Sequence, residues 1–186
     1  MECSEYESEK WKFQYIMYVR KMTYMNNSKR LILKSPYNMA RLKMLLDIFP
    51  RSKFIYIERD ESEVFLSMRD MIKRFGEYAF DTISSEHLAE NIVYGMIETK
   101  RAYLRQKVSI AKDSLVEITY EELVNDTIKT LTHIKSAINI DIDLQNMRFC
   151  DFLENMAKYK KNIRKLELNS YEQRLFDSYK SNFKVV

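Results

Sequence analysis

The stretch LILKSPYNMARLKMLLDIFPRSKFIYIERDESEVFLSMRDM, Leu31 to Met71, carries the strongest alternation of apolar patterns in the chain. Leu31-Ile32-Leu33 is a short apolar run that halts at Lys34-Ser35-Pro36. Pro36 restricts Ser35 to extended backbone, so the run reads as a strand that ends in a loop. Met39, Leu42, Leu45, Leu46 and Phe49 then recur at spacings of three and four, the period of a helix closed by Pro50. Phe54 to Ile57 reads as a second strand. Asp60 caps the helix after it, with Glu61 and Glu63 in a first turn where carboxylates suit the helix dipole. Val64, Met68, Met71 and Ile72 form its buried side.

The alternation continues outward from this stretch. Ser85 to Lys107 carries Leu88, Ile92, Met96 and Tyr103 at helical spacing, with Ser84 or Ser85 as cap. Leu115 to Thr119 is a third strand, and Asn125 or Asp126 caps a helix bearing Ile128, Leu131, Ile134 and Ile138. Met156 to Lys165 is a basic loop before a last helix, Ser170 to Phe183. Upstream, Trp11 to Met25 is an amphipathic helix behind an acidic start. Strands alternating with helices imply an α/β class: a helix-rich parallel sheet covered on both faces. No repeat, low-complexity run or Pro/Gly-rich linker divides residues 1–186, which read as a single domain.

Composition narrows the function classes. The 186 residues are 46% apolar and 31% charged with a net charge of +4, the balance of a soluble globular protein. That charge is too mild to imply nucleic acid, and charge runs such as Lys158 to Lys165 are usually solvated faces. Basic residues nonetheless concentrate from Asn155 onward, where an anion site is expected. Cys3 and Cys150 lack CxxC spacing, so neither a disulfide framework nor a zinc cluster is indicated. No signal peptide core or membrane-length apolar run is present, and a cytoplasmic protein is expected. Gly76 and Gly95 are the only glycines, which excludes a Walker A loop and a dinucleotide fingerprint within this chain.

In open parallel sheets, ligands collect beyond the carboxyl ends of the strands, where helix N-termini favour anions. The three expected strands deliver Lys34 and Ser35, then Glu58, Arg59 and Asp60, then Tyr120 and Glu121. The planar fork of Arg59 suits a phosphate; the competing reading is a surface pair with Asp60 or Glu63. Ser67, eight residues on, either shares that anion or is a solvated serine. His87 and His133 read as structural or solvated rather than catalytic.

The Leu31–Met71 stretch resembles the central signature of PAPS-dependent sulfotransferases of bacterial type: LKSP, a helix, FPxxKFI, and an R-D-x-x-E-V-x-x-S block. PAPS is 3′-phosphoadenosine 5′-phosphosulfate. SLVEITYEELVNDTIKTLTHI, Ser114 to Ile134, is similar to that family's next strand, YEDL-type turn and helix. KYKKNIRKLELNSYEQRLF, Lys158 to Phe176, is similar to its late KN-containing loop and last helix. The resemblance implies a partial P-loop-NTPase-like sheet. It implies that Arg59 and Ser67 bind the 3′-phosphate of PAPS or of adenosine 3′,5′-bisphosphate, and that Tyr120 contacts the adenosine region. Lys160, Lys161 and Asn162 fall in the loop that closes over that phosphate. Lys34 is implied to stabilise charge on the leaving phosphate or the transferred sulfuryl group, with no metal required.

One family element is missing from the pattern. The GxPRSGTT-type loop that cradles the 5′-phosphosulfate does not occur; only 33 residues precede Lys34, and none is glycine. The expectation is therefore the carboxy-terminal, 3′-phosphate-binding half of a sulfotransferase, inactive by itself, whose acceptor and general base the residues do not name. The alternative is a non-catalytic nucleotide-binding or protein-interaction module that self-associates or joins a separate chain supplying the missing half.

Overall fold

The computed structural model describes residues 4–79, 84–145, 150–152 and 167–183, with backbone only for 76–79. The element order is α1 (Glu5–Met25), a 3-10 turn (Pro36–Arg41), α2 (Leu42–Ile48), β1 (Phe54–Glu58), α3 (Glu61–Ala79) and α4 (Ser85–Lys107). Then come β2 (Leu115–Thr119), α5 (Tyr120–Asn125), α6 (Thr127–Ala137) and α7 (Ser170–Ser181). The chain forms two compact units, Met1–Ser52 with Arg101–Ile110, and Lys53–Lys100 with Ala111–Val186.

In the first unit, α1 starts earlier than apolar spacing alone suggests, because Ser4 and Glu7 form a capping box. The Ser4 hydroxyl accepts from the Glu7 amide at 3.3 Å and Glu7 Oε2 accepts from the Ser4 amide at 3.0 Å. The helix stops where Asn27 and Ser28 turn left-handed, at φ 52° and 57°. Trp11 stacks on Tyr15 at 4.7 Å, Arg41 lies 4.9 Å over the Trp11 ring, and the Tyr15 hydroxyl accepts from Asn38 at 3.4 Å. Gln106 donates to the Ala40 carbonyl at 2.7 Å and accepts from the Lys43 amide at 3.0 Å, tying residues of α4 to the 3-10 turn and α2.

Two expectations are corrected here. Leu31–Leu33 forms no strand: the segment is irregular and Ile32 is 92% exposed. Three apolar residues have no strand identity of their own; a ladder of hydrogen bonds to a neighbour confers it, and no such ladder reaches them among the described residues. The helix expected around Met39 begins as the 3-10 turn, with Pro36 at its first position, and becomes α-helical only at Leu42. It closes at Ile48, before Pro50 as expected.

The second unit holds a parallel pair, β1 against β2, in the register Phe54↔Leu115 through Glu58↔Thr119. Val116 and Ile118 are buried against Ile134 and Ile138 on the α6 side, with Leu123 and Leu131 around them. Ile55 and Ile57, their register partners on the same face, remain 43% and 45% exposed, so on this face the covering stops at β2, and Glu117 is exposed on the other, short of the expected sheet covered on both faces. Next to this lies a three-helix core. Phe65 of α3 meets Phe176 of α7 edge-on at 5.5 Å, and Leu88, Ala89, Ile92 and Val93 of α4 complete it. Arg69 and Glu172, both largely buried, join α3 to α7 at 2.5 Å. The parallel pair and the helix-rich composition agree with the α/β expectation.

Asp60 ends the loop from β1 and caps α3. Its carboxylate accepts from the Ser62 hydroxyl and, at 3.0 Å, from the Glu63 amide. Those two bonds, the Ser62 one first, hold its pKa below the ordinary 3.8. A depressed carboxylate contributes stability above its unfolded pKa and loses it as pH falls through the lower folded value. Asp60→Asn keeps a competent cap without the charge. In urea denaturation its stability should match the parent near neutrality and fall less between about pH 5 and pH 3. Superimposable acid limbs for the two proteins would contradict this role.

Candidate functional site: the carboxyl rim of the parallel pair

β1 and β2 end side by side and each runs directly into a helix N-terminus, so their carboxyl ends share one rim. Thr119 caps α5 as Asp60 caps α3: its hydroxyl accepts from the Glu122 amide at 3.1 Å, and Glu122 Oε2 accepts from the Thr119 amide at 2.7 Å. Those bonds hold the Glu122 carboxyl below the usual carboxylate value, the Thr119 amide contributing most. The α5 helix and its capping box are absent from the sequence-based expectation, although Thr-x-x-Glu is legible at residues 119–122.

An open cleft of about 280 Å³ sits on this rim, lined by Glu58, Arg59, Asp60, Glu61, Thr119 and Glu121. Arg59 is its central cation. The guanidinium carbon lies 4.6 Å from the centroid of the Tyr120 ring, at the end of the neighbouring strand. Nε and Nη2 both donate to Glu63 Oε2, at 3.0 and 2.8 Å. One side of the fork is thus taken by Glu63 and its carbon lies over the Tyr120 ring, while Nη1 is outside both hydrogen bonds. Arg59 is about one-third exposed, so the pair is screened and its main consequence is orientation.

Ser67 is exposed one helical turn beyond Glu63 on α3, and i,i+4 spacing puts both on the same helix face. Arg59 and Tyr120, distant in sequence, are therefore in contact, and Ser67 lies on the helix face to which Glu63 draws the Arg59 fork. Lys34 belongs to the first unit and is exposed in the irregular segment before Pro36. Lys160, Lys161 and Asn162 lie outside the described residues. His87 and His133 are both exposed on helices.

Sequence reasoning did not find a further cation beside this rim. Lys100, from α4, reaches Glu61 at 2.5 Å and Glu58 at 3.7 Å, and lies 5.4 Å over the Phe183 ring. The Tyr179 hydroxyl donates to Glu61 at 3.5 Å. Burial, and then Glu61, pushes its pKa up. Burial, and then Glu58, pushes the Tyr56 phenol up to about 12. Both phenols are therefore protonated at neutral pH. No local periodicity points to Lys100 or Tyr179, because α4 and α7 deliver them across the fold. Glu63 was legible, since its spacing from Arg59 is that of a helical ion pair. With Arg59, Lys100 and Lys180 set against Glu58, Asp60, Glu61, Glu63 and Glu121, carboxylates outnumber cations on and beside this rim among the described residues.

Residues 4–144 match the model of a family described as the sulfotransferase family. Two curated proteins, each named omega-hydroxy-beta-dihydromenaquinone-9 sulfotransferase Stf3, from Mycobacterium bovis and Mycobacterium tuberculosis, are 27% identical to the chain over 158 residues. The aligned region is 84% of this chain and 40% of each relative, so the chain spans less than half the length of the curated relatives it matches. No solved structure matches it significantly.

Proposed function

The chain belongs to the sulfotransferase family, and from that premise we propose that it carries the 3′-phosphate-binding half of a PAPS-dependent enzyme. The observation that carries this reading is the contact between Arg59 and Tyr120. Two strand-end residues far apart in sequence meet on one rim, at the positions where the family resemblance implies a nucleotide. Arg59 binds the 3′-phosphate through its remaining N–H groups, Ser67 supplies a hydroxyl from the same side of α3, and Tyr120 borders the adenosine. Because the rim itself is rich in carboxylates, further cations must accompany the phosphate. Lys160 and Lys161, with Asn162, are proposed to supply this contribution.

In the whole enzyme, an acceptor hydroxyl or amine attacks sulfur in line. The new bond to sulfur forms as the bond from sulfur to the phosphate oxygen breaks; adenosine 3′,5′-bisphosphate departs, and the acceptor proton passes to a base. Lys34 is assigned to the negative charge that grows on the departing phosphate. The relatives' name describes a hydroxylated acceptor, which favours the hydroxyl.

Titration calorimetry tests the binding half of this proposal with the chain as it stands. Adenosine 3′,5′-bisphosphate should bind at least about thirtyfold more tightly than adenosine 5′-phosphate, the worth of charge-assisted hydrogen bonds to one phosphate. Equal affinities, or no heat with a chain shown to be folded by circular dichroism, would remove the 3′-phosphate site. A second reading, an interaction module, draws on the half-exposed Ile55 and Ile57 of β1. It gains ground if the folded chain ignores nucleotide and instead sediments as a defined oligomer.

A further inference from the structure

Helix α1 is apolar on two opposite sides. One side, with Trp11, Tyr15, Val19 and Met22, is half-buried within its own unit. The other bears Tyr6, Phe13, Met17 and Tyr24, which are 75%, 66%, 48% and 86% exposed. At 3.6 residues per turn, spacings of seven, four and seven place these four within about 40° of arc, a single stripe along the helix. Lys10, Arg20 and Lys21 are exposed and flank the stripe within about 60° of its midline. The carboxylate at its border, Glu9, is turned to Lys12 at 3.0 Å. Glu7 lies farther round and is tied to Ser4.

We propose that this side of α1 is a docking surface for an anionic lipid bilayer, on which the helix lies flat. Phe13 and Met17 enter the boundary between headgroups and acyl chains, and the amphipathic Tyr6 and Tyr24 rings sit at headgroup level. Lys10, Arg20 and Lys21 meet lipid phosphates, their stems alongside the stripe. No helix among the described residues is long and apolar enough to cross a membrane, so α1 rests on the surface rather than spanning it. Charge decides between this occupant and a second copy of the chain. Stripe-to-stripe pairing would set Lys10, Arg20 and Lys21 of one copy against the same cations of the other, whereas anionic headgroups bring the opposite sign. This surface shares no residue with the nucleotide rim and stands independently of it.

Co-sedimentation of the chain with phosphatidylcholine vesicles, with and without phosphatidylglycerol, is the test. The chain should pellet with the anionic vesicles, stay in solution with neutral ones, and be released as salt rises. Lys10→Ala/Arg20→Ala/Lys21→Ala should weaken partitioning about a hundredfold, near the sum expected for three basic residues at such a surface. Phe13→Ser/Met17→Ser should weaken it at least about tenfold. All five positions are exposed, so both variants should keep the parent's circular dichroism and melting. A parent that ignores anionic vesicles, or binding that neither variant weakens, would overturn the proposal. So would a lipid-free dimer that the Phe13→Ser/Met17→Ser variant dissociates, since the stripe would then be an interface between copies.

Discussion

Arg59→Ala should abolish measurable binding of adenosine 3′,5′-bisphosphate while leaving the fold intact. The side chain is partly exposed and its ion pair with Glu63 is screened, so its removal costs little stability. Hydrogen bonds from a guanidinium to a phosphate contribute about 1.5–3 kcal/mol each, so losing the fork should raise the Kd by about a hundredfold or more. Arg59→Lys restores a charge but neither the fork nor the guanidinium contact with the Tyr120 ring, and should recover only a minor part. Glu63→Gln should tighten binding, because the carboxylate competes for Nε and Nη2 and adds negative charge beside the phosphate. Calorimetry on the four proteins, with thermal melts alongside, decides the matter. Unchanged affinity in a folded Arg59→Ala protein would take the phosphate away from this rim.

Arg69→Ala should have the largest effect on stability, a loss of about 3 kcal/mol or more. Removing one partner of a buried pair leaves an uncompensated charge, which typically costs about 3–5 kcal/mol. The side chains of Glu172 and Arg69 are only 3% and 13% exposed. The carboxylate of Glu172 also accepts from the Asn169 amide at 3.0 Å, so the same atom caps α7. Arg69→Met/Glu172→Gln should regain most of the loss, because the amide still completes the capping box and no buried charge remains. Urea unfolding gives both numbers. If Arg69→Ala costs less than about 1 kcal/mol, within the range of an exposed pair, the bridge is hydrated in solution. For a domain of ordinary stability, about 5–15 kcal/mol in total, the expected loss is a large fraction.

The same ion pair shows why part of this molecule escapes a reading of its sequence. Arg69 and Glu172 are 103 residues apart, and each alone looks like a surface charge on an amphipathic helix. Lys100 is a similar case. Its position on α4 is ordinary, and only the fold, which brings it beside Glu61 of α3 and Glu58 of β1, makes it their partner. Arg59 was different. A strand followed at once by a capped helix puts its last residues at the carboxyl rim of the sheet whatever the neighbours are, so the position was legible while its contact with Tyr120 was not.

What the sequence determined by itself is what local physics determines. The apolar period and flanking polar residues set α4 at Ser85–Lys107 and β2 at Leu115–Thr119, and the Asp60 and Asp126 caps mark where α3 and α6 begin. Two of the three ordered blocks, Leu31–Met71 and Ser114–Ile134, lie within residues 4–144, which match the family's model. Tertiary structure alone decided which strands exist as strands. Phe54–Glu58 became one because Leu115–Thr119 completes its ladder, whereas Leu31–Leu33, as apolar in composition, finds no such ladder among the described residues and leaves Ile32 exposed. A helix closes its hydrogen bonds within a few residues, and so its sequence can specify it; a parallel strand closes them with a distant segment, and only the folded chain supplies that partner.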